Sequence, residues 1–298
     1  MKVLMTGAAG FLGRELADVL EKGGHELKLV DRVEKDDATI FVPGSADRKR
    51  VPLVTKWPYI KAEVVDELAM RNAMEGCDAV IHLAARTDGL PQNGKSIMEA
   101  NVIGTYVPID QARQVGVKRF LCASSINAFG TIYWKLSGKP AEYKTMPLNE
   151  TFEVVPEDPY SLSKYVNELT CATFHRAYGM TTAAFRFAGV WTKEQYESFV
   201  SKPMNKTEAW SDDLFQWVHM TDIAEGIKKC LECPTLPGFG AYTLGAADTR
   251  CPEPTMELLA KFGPHLKVTE PLPGRTPLMS IRKAQEAFGY SPRFRVGP

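Results

Sequence analysis

The sequence runs to 298 residues, 44% hydrophobic and 24% charged, the make-up of an ordinary globular chain with room for one large domain and an elaborated lobe. Lysine plus arginine equals aspartate plus glutamate at 36 each, so no net field draws the chain to nucleic acid or an anionic membrane. The apolar runs are strand-length, short of the roughly 18 residues that a bilayer span needs.

The first element is the short apolar run Lys2-Val-Leu-Met5, which leads straight into Thr6-Gly7-Ala8-Ala9-Gly10-Phe11-Leu12-Gly13. This pattern predicts a strand, a tight glycine turn and a helix over Arg14–Lys22 whose N-terminus can hold a pyrophosphate. Gly7 makes the turn, Gly10 gives room for the phosphates and Gly13 lets helix and strand pack closely. The charges at Arg14, Glu15 and Asp18 argue against a signal peptide. The second strand, Leu27–Val30, ends at Asp31, where an acid accepts ribose hydroxyls and repels a 2′-phosphate. That favours NAD over NADP, although Arg32 beside it could pair with a phosphate.

Further along, strand patterns at Ala79–Leu83, Arg119–Cys122 and Thr182–Phe187 alternate with helical patterns at Glu67–Glu75, Ser96–Val115 and Tyr160–Tyr178. The fold class is therefore α/β, a Rossmann-type doubly wound parallel sheet with a smaller C-terminal substrate-binding lobe. Residues 1–190 form the cofactor domain, to which 215–250 return through a helix near Asp222–Glu232; 191–214 and 251–298 form the lobe. Two connections are long, Arg32 to Pro58 beside the adenosine half of the cofactor and Gly130 to Pro159 beside the substrate. The six cysteines sit partly in apolar segments, as buried free thiols do, and Cys230-Leu-Glu-Cys233 lacks the second pair that a zinc site needs. No metal is expected, and the cytoplasm is the default compartment.

Tyr160 and Lys164 stand four residues apart and share one helix face. A free tyrosine titrates near 10, so service as a base at neutral pH needs its phenolate stabilised by roughly three units. An adjacent ammonium and a positive nicotinamide ring supply such stabilisation. The aromatic residues Trp134, Trp191, Trp210 and Trp217 either offer flat faces to a sugar or fill the lobe core. His82 and His219 read as packed, hydrogen-bonded residues.

Together, Thr6–Gly13, His82-Leu83-Ala84-Ala85, Asn101-Val-Ile-Gly-Thr105, Ser124-Ser125, Tyr160 with Lys164, Val218–Ala224 and Ser280–Pro292 carry a family pattern. From residue 3 to about 292 the chain resembles the extended short-chain dehydrogenase/reductase superfamily, in its NAD-dependent epimerase/dehydratase group. The resemblance implies that Ser125 hydrogen-bonds the reacting oxygen, Tyr160 exchanges its proton, and Lys164 binds the nicotinamide ribose and poises Tyr160. It implies a cofactor site of Gly7, Gly10, Phe11, Leu12, Gly13, Asp31, Arg32, Leu83, Ala84, Ala85, Asn101, Tyr160 and Lys164. Glu63 aligns with its adenine-contacting acid, while Asp66 falls where the next helix needs a cap.

Departures from the pattern sort the reactions. Dehydratases of the family carry Asp-Glu after the catalytic hydroxyl, where this chain has Ile126-Asn127. Epimerases carry an arginine for the substrate diphosphate four positions before the histidine of the later motif, where this chain has Phe215. The substrate side is expected to draw on Arg86, Thr87, Asn127, Phe187 and Arg275. The expectation is an NAD-dependent dehydrogenase of a free sugar or sugar acid, working as a homodimer; the alternative is a nucleotide-sugar epimerase that retains its NAD.

Overall fold

The computed structural model describes residues 1–41, 48–130, 132, 135–139 and 141–297. Chain order gives β1 (Lys2–Thr6), α1 (Phe11–Lys22), β2 (Glu26–Asp31), an antiparallel pair β3 (Thr39–Phe41) and β4 (Arg48–Arg50), β5 (Tyr59–Lys61), α2 (Glu67–Met74) and β6 (Ala79–His82). An interrupted helix follows as α3 (Gly94–Met98), a π-turn over Glu99–Ile103 and α4 (Gly104–Gln114), then β7 (Arg119–Ala123). The second half adds β8 (Thr145–Met146), α5 (Pro159–Tyr178), β9 (Thr181–Phe187), β10 (Val190–Trp191), α6 (Lys193–Val200) and β11 (Val218–His219). The last elements are α7 (Met220–Glu232), β12 (Phe239–Leu244), α8 (Thr255–Phe262), β13 (Lys267–Val268) and α9 (Arg282–Phe288).

Seven strands form one parallel sheet in the order β12-β9-β7-β6-β1-β2-β5. From β1 the chain steps outward to β2 and β5, then crosses back to β6, so the topological switch lies between β1 and β6. A ligand of such a sheet sits outside the carboxyl ends of those two strands. Alternation along β1 sends Val3 and Met5 into the core layer shared with Leu16, Leu20 and Ile227, while Leu4 joins Met70, Ile109 and Phe174 on the opposite face. Both faces are buried, which is why the strands read as continuous apolar runs.

The helix expected over Ser96–Val115 exists from Gly94 to Gln114, but with the π-turn inside it. Pro108 has no N–H to offer Gly104, so the regular ladder is broken there, and π-turns gather where a side chain must be re-aimed. The re-aimed side chain is Asn101, which is fully buried.

The aromatic residues of the lobe pack mainly on one another. Trp217 is fully buried, its ring centroid 4.8 Å from Trp191 and 5.8 Å from Tyr196, and its Nε1 donates to the Asp248 carbonyl at 3.1 Å. Trp210 meets Phe215 edge-on at 5.5 Å. For Trp217 the lobe-core reading holds, Trp210 is only half-buried, and Trp134 lies outside the described residues. Replacing Trp217 with alanine is expected to destabilise the chain by about 3–5 kcal/mol in denaturant unfolding, with the cofactor end of the molecule unaffected.

Candidate active site

The strand-to-helix turn is built so that only glycine fits at two places. Gly7 has φ +69°, and a methyl group on it would lie 2.7 Å from the Ala84 nitrogen in the loop that follows β6. At Gly13 the same methyl would sit 2.4 Å from the Gly7 carbonyl oxygen and 2.8 Å from the Ala8 Cα. Gly10 caps α1 with extended backbone, no side chain bonds to the cap, and no acid stands in the first turn. The N–H groups around Phe11, Leu12 and Gly13 thus open the helix without an internal anion, which fits a pyrophosphate.

Asp31, at the end of β2, accepts the Ala9 N–H at 2.9 Å through Oδ2, so the carboxylate braces the glycine loop from the side where a ribose is expected. Arg32 next to it is exposed. Glu63 is exposed beyond β5, while Asp66 caps α2 by accepting the Ala69 N–H at 3.0 Å, as expected. Sequence reading missed Arg14. Its guanidinium donates to the Ala9 carbonyl at 2.9 Å and to the Pro52 and Val51 carbonyls at 3.0 and 2.5 Å, lashing the 32–58 connection to the glycine loop.

On the β6 side, Thr6 Oγ1 and His82 Nδ1 stand 2.8 Å apart, both buried. Burial and the neighbouring Lys164 push His82 down to about 3, so the ring is neutral at physiological pH. Leu83 and Ala84 are half-buried and Ala85 is exposed at the mouth of the switch point. Asn101 takes a supporting place: its amide accepts the Arg86 N–H at 2.7 Å and donates to the Arg86 carbonyl and to Ser163 Oγ, both at 2.9 Å. That grip fixes the loop Leu83–Thr87 and explains the π-turn.

Ser125, Tyr160 and Lys164 converge. Asp158 caps α5, accepting the Tyr160 and Ser161 N–H groups at 2.9 Å each, so the helix begins on Pro159 and presents Tyr160 in its first turn. The Ser125 hydroxyl faces the Tyr160 phenol and favours its ionised form. Lys164 Nζ lies 5.6 Å from the centre of the Tyr160 ring and donates to the Ala123 carbonyl at 2.9 Å. Burial pushes Tyr160 up to about 12, with Asp158 adding to the rise, and the Ser125 hydroxyl works against it. Burial lowers Lys164 from the ordinary amine range.

The residues expected on the substrate side do not form one cluster of free groups. Arg86 is exposed and donates to Asp88 at 2.7 Å, and Thr87 is exposed beside it. Asn127 and Phe187 are buried, Asn127 donating its N–H to Ser125 Oγ at 3.1 Å. Arg275 is held by Asp248 at 2.8 Å and by the Cys251 carbonyl at 3.3 Å. Phe215 is buried with φ 57° and Leu214 with φ 56°, a left-handed pair braced by Arg250, whose guanidinium bonds Asp213, Ser211 and the Gln216 carbonyl. Sequence reading found no signal for that pair, because neither residue type favours positive φ.

A family model described as the NAD dependent epimerase/dehydratase family matches residues 3–245. The chain belongs to this family. Among members of the epimerase/dehydratase family, a dTDP-glucose 4,6-dehydratase of Streptomyces antibioticus is 25% identical over 313 residues, covering 98% of this chain and 88% of the relative. A uronate dehydrogenase of Pseudomonas syringae pv. tomato is 26% identical over 253 residues, 84% of this chain and 75% of the relative. The fold is also that of the UDP-glucose 4-epimerase from Thermotoga maritima, solved with UDP-glucose, at TM-score 0.71 and 21% identity over 99% of this chain and 95% of that one. Family members are NAD-dependent enzymes that modify sugars, so NAD and a small carbohydrate are the family's reagents.

Proposed function

We propose that the chain is an NAD-dependent sugar dehydrogenase that moves a hydride between a hydroxyl-bearing carbon of a free sugar or sugar acid and nicotinamide. Tyr160 exchanges the hydroxyl proton, Ser125 holds the reacting oxygen by a hydrogen bond, and Lys164 binds the nicotinamide ribose and poises Tyr160. Bound NAD supplies the hydride acceptor and a positive ring charge. Gly7, Gly10, Phe11, Leu12 and Gly13 cradle its pyrophosphate, Asp31 takes the adenosine ribose with Arg32 alongside, and Glu63 reaches the adenine. Leu83, Ala84, Ala85 and Asn101 shape the wall between the two halves, Asn101 by fixing the backbone.

The observation that carries the choice of substrate is the state of the two places where a diphosphate clamp is expected. Phe215 puts a buried ring at one, and at the other the Arg275 guanidinium is already engaged with Asp248. A sugar without a nucleotide needs neither. Ile126 and Asn127 after Ser125 supply no acid for eliminating water, which argues against dehydration. The remaining substrate contacts then fall to Arg86, Thr87, Asn127 and Phe187.

The same proposal includes a cytoplasmic homodimer that pairs α4 and α5, which carry exposed Tyr106, Leu162, Leu169 and Tyr178. It also includes the division into a cofactor domain, 1–190 with 215–250, and a substrate lobe. The test is to incubate the purified chain with NAD or NADP and a panel of free sugars, sugar acids and nucleotide sugars, following reduced-cofactor absorbance. Net NADH from a uronate or free sugar is the expected result. Interconversion of a nucleotide sugar with no net reduction would mean an epimerase instead.

A further inference from the structure

The two serines at the end of β7 face opposite ways, as successive residues of an extended chain must. Ser125 is half-buried and meets Tyr160, whereas Ser124 is 3% exposed and points into the protein. Ser124 donates its N–H to the Phe185 carbonyl at 2.8 Å and its hydroxyl to Glu168 Oε1 at 2.7 Å. Glu168 lies on α5 one turn past Lys164 and two past Tyr160, so all three side chains leave neighbouring positions on one stripe of the helix.

Glu168 is buried and takes two further bonds from Arg186 on β9, Nε to Oε1 at 2.9 Å and Nη2 to Oε2 at 2.8 Å. The Arg186 guanidinium lies 4.3 Å over the ring of Phe129. Phe129 closes the turn Ile126–Phe129 that Ser125 opens and caps. The buried carboxylate therefore grips the chain on both sides of Ser125, directly at Ser124 and through Arg186 at Phe129. A buried ion pair seldom adds net stability over apolar residues of the same volume. Here, Arg186 Nη1 also lacks a hydrogen-bond partner among the described residues. The arrangement is better suited to fixing a distance than to strengthening the core.

We propose that Glu168, with Ser124 and Arg186, is a positioning device that sets the Ser125 hydroxyl against the Tyr160 phenol by tying the helix that carries Tyr160 to the strand end that carries Ser125. This rests on the reading of Tyr160 as the proton-exchanging group. Polar interactions of a hydroxyl weaken steeply with distance and misalignment, so a small drift of the strand end weakens the support that the Ser125 hydroxyl gives the phenolate. Among the described residues, the charged groups that act on Tyr160 are Asp158 and Lys164 on its own helix, and Ser124→Ala changes neither them nor the Glu168–Arg186 pair.

The test uses the full chain saturated with NAD and needs no substrate. Tyrosinate absorbance is titrated in the parent protein and in Tyr160→Phe, and their difference isolates Tyr160. In Ser124→Ala, which leaves the Glu168–Arg186 pair in place, Tyr160 is expected to titrate about half a unit or more higher, with NAD affinity within about twofold of the parent. A folded Ser124→Ala protein whose Tyr160 titrates as in the parent overturns the proposal. The underlying reading fails separately, if Tyr160→Phe still reduces NAD with glucuronate at the parent rate.

Discussion

Tyr160→Phe is expected to reduce hydride transfer by about 10²- to 10⁴-fold while the protein still binds NAD. The phenyl ring keeps the packing of a side chain that is 8% exposed and removes only the hydroxyl that meets Ser125. Without cofactor Tyr160 is pushed up to about 12, so at neutral pH the phenol holds its proton. Oxidation of an alcohol needs the phenolate, and its rate should rise with pH until Tyr160 is titrated. The positive nicotinamide ring and Lys164 both lower that point. Reduction runs the other way, needs the protonated phenol and should fall over the same range. Stopped-flow absorbance of NADH in both directions measures the two limbs, and parallel pH dependences would remove Tyr160 from the proton path.

The second large effect is expected at Gly13. In Gly13→Ala the new methyl has backbone on three sides, the nearest atom being the Gly7 oxygen at 2.4 Å, with no flexible side chain to move away. The glycine loop must shift off α1, at about 1–3 kcal/mol of stability. Because the loop backbone is the cradle, NAD affinity should fall more than a hundredfold, roughly 2.7 kcal/mol or more. The parent protein is the comparison, because Gly10, whose added methyl would meet only the Gly7 oxygen at 3.3 Å within the protein, itself borders the phosphates. Calorimetric titration with NAD separates the two, and near-equal affinities would show that the close helix–strand approach is not what shapes the cradle.

The cofactor half was legible because its physics is local. Glycine at 7, 10 and 13, an acid at the end of β2, and tyrosine and lysine one turn apart all express their reasons within a few residues. Helix and strand positions followed from periodicity, to within a few residues for α5 and β9. β5 and β12 escaped notice as sheet strands: three residues, Tyr59–Lys61, carry no period, and β12 joins the sheet only through tertiary pairing with β9. The π-turn was invisible for a similar reason, since Asn101 is drawn inward by the Arg86 backbone fifteen residues earlier. The lobe was hardest to read. Its aromatic residues are compatible with either a sugar platform or a core, and only their mutual stacking separates the two for Trp217. Arg275 looked like a free cation because Asp248, its partner, is 27 positions away.

The closure of Gly7 against Ala84 bears on the order in which the protein comes into being. β1 pairs with β6 in a register that joins Thr6 to His82, 76 residues downstream, and Lys2 is tied to Asp78 over the same span. The opening stretch of the chain therefore waits, with one side of Val3, Leu4 and Met5 unpaired, until the polypeptide has grown past residue 84 and folded back. Long-range parallel pairing of this kind is intrinsically slow. Dinucleotide in solution then has nothing to act on in the early nascent chain, and it acts as a late trap for the completed crossover rather than as a seed for folding.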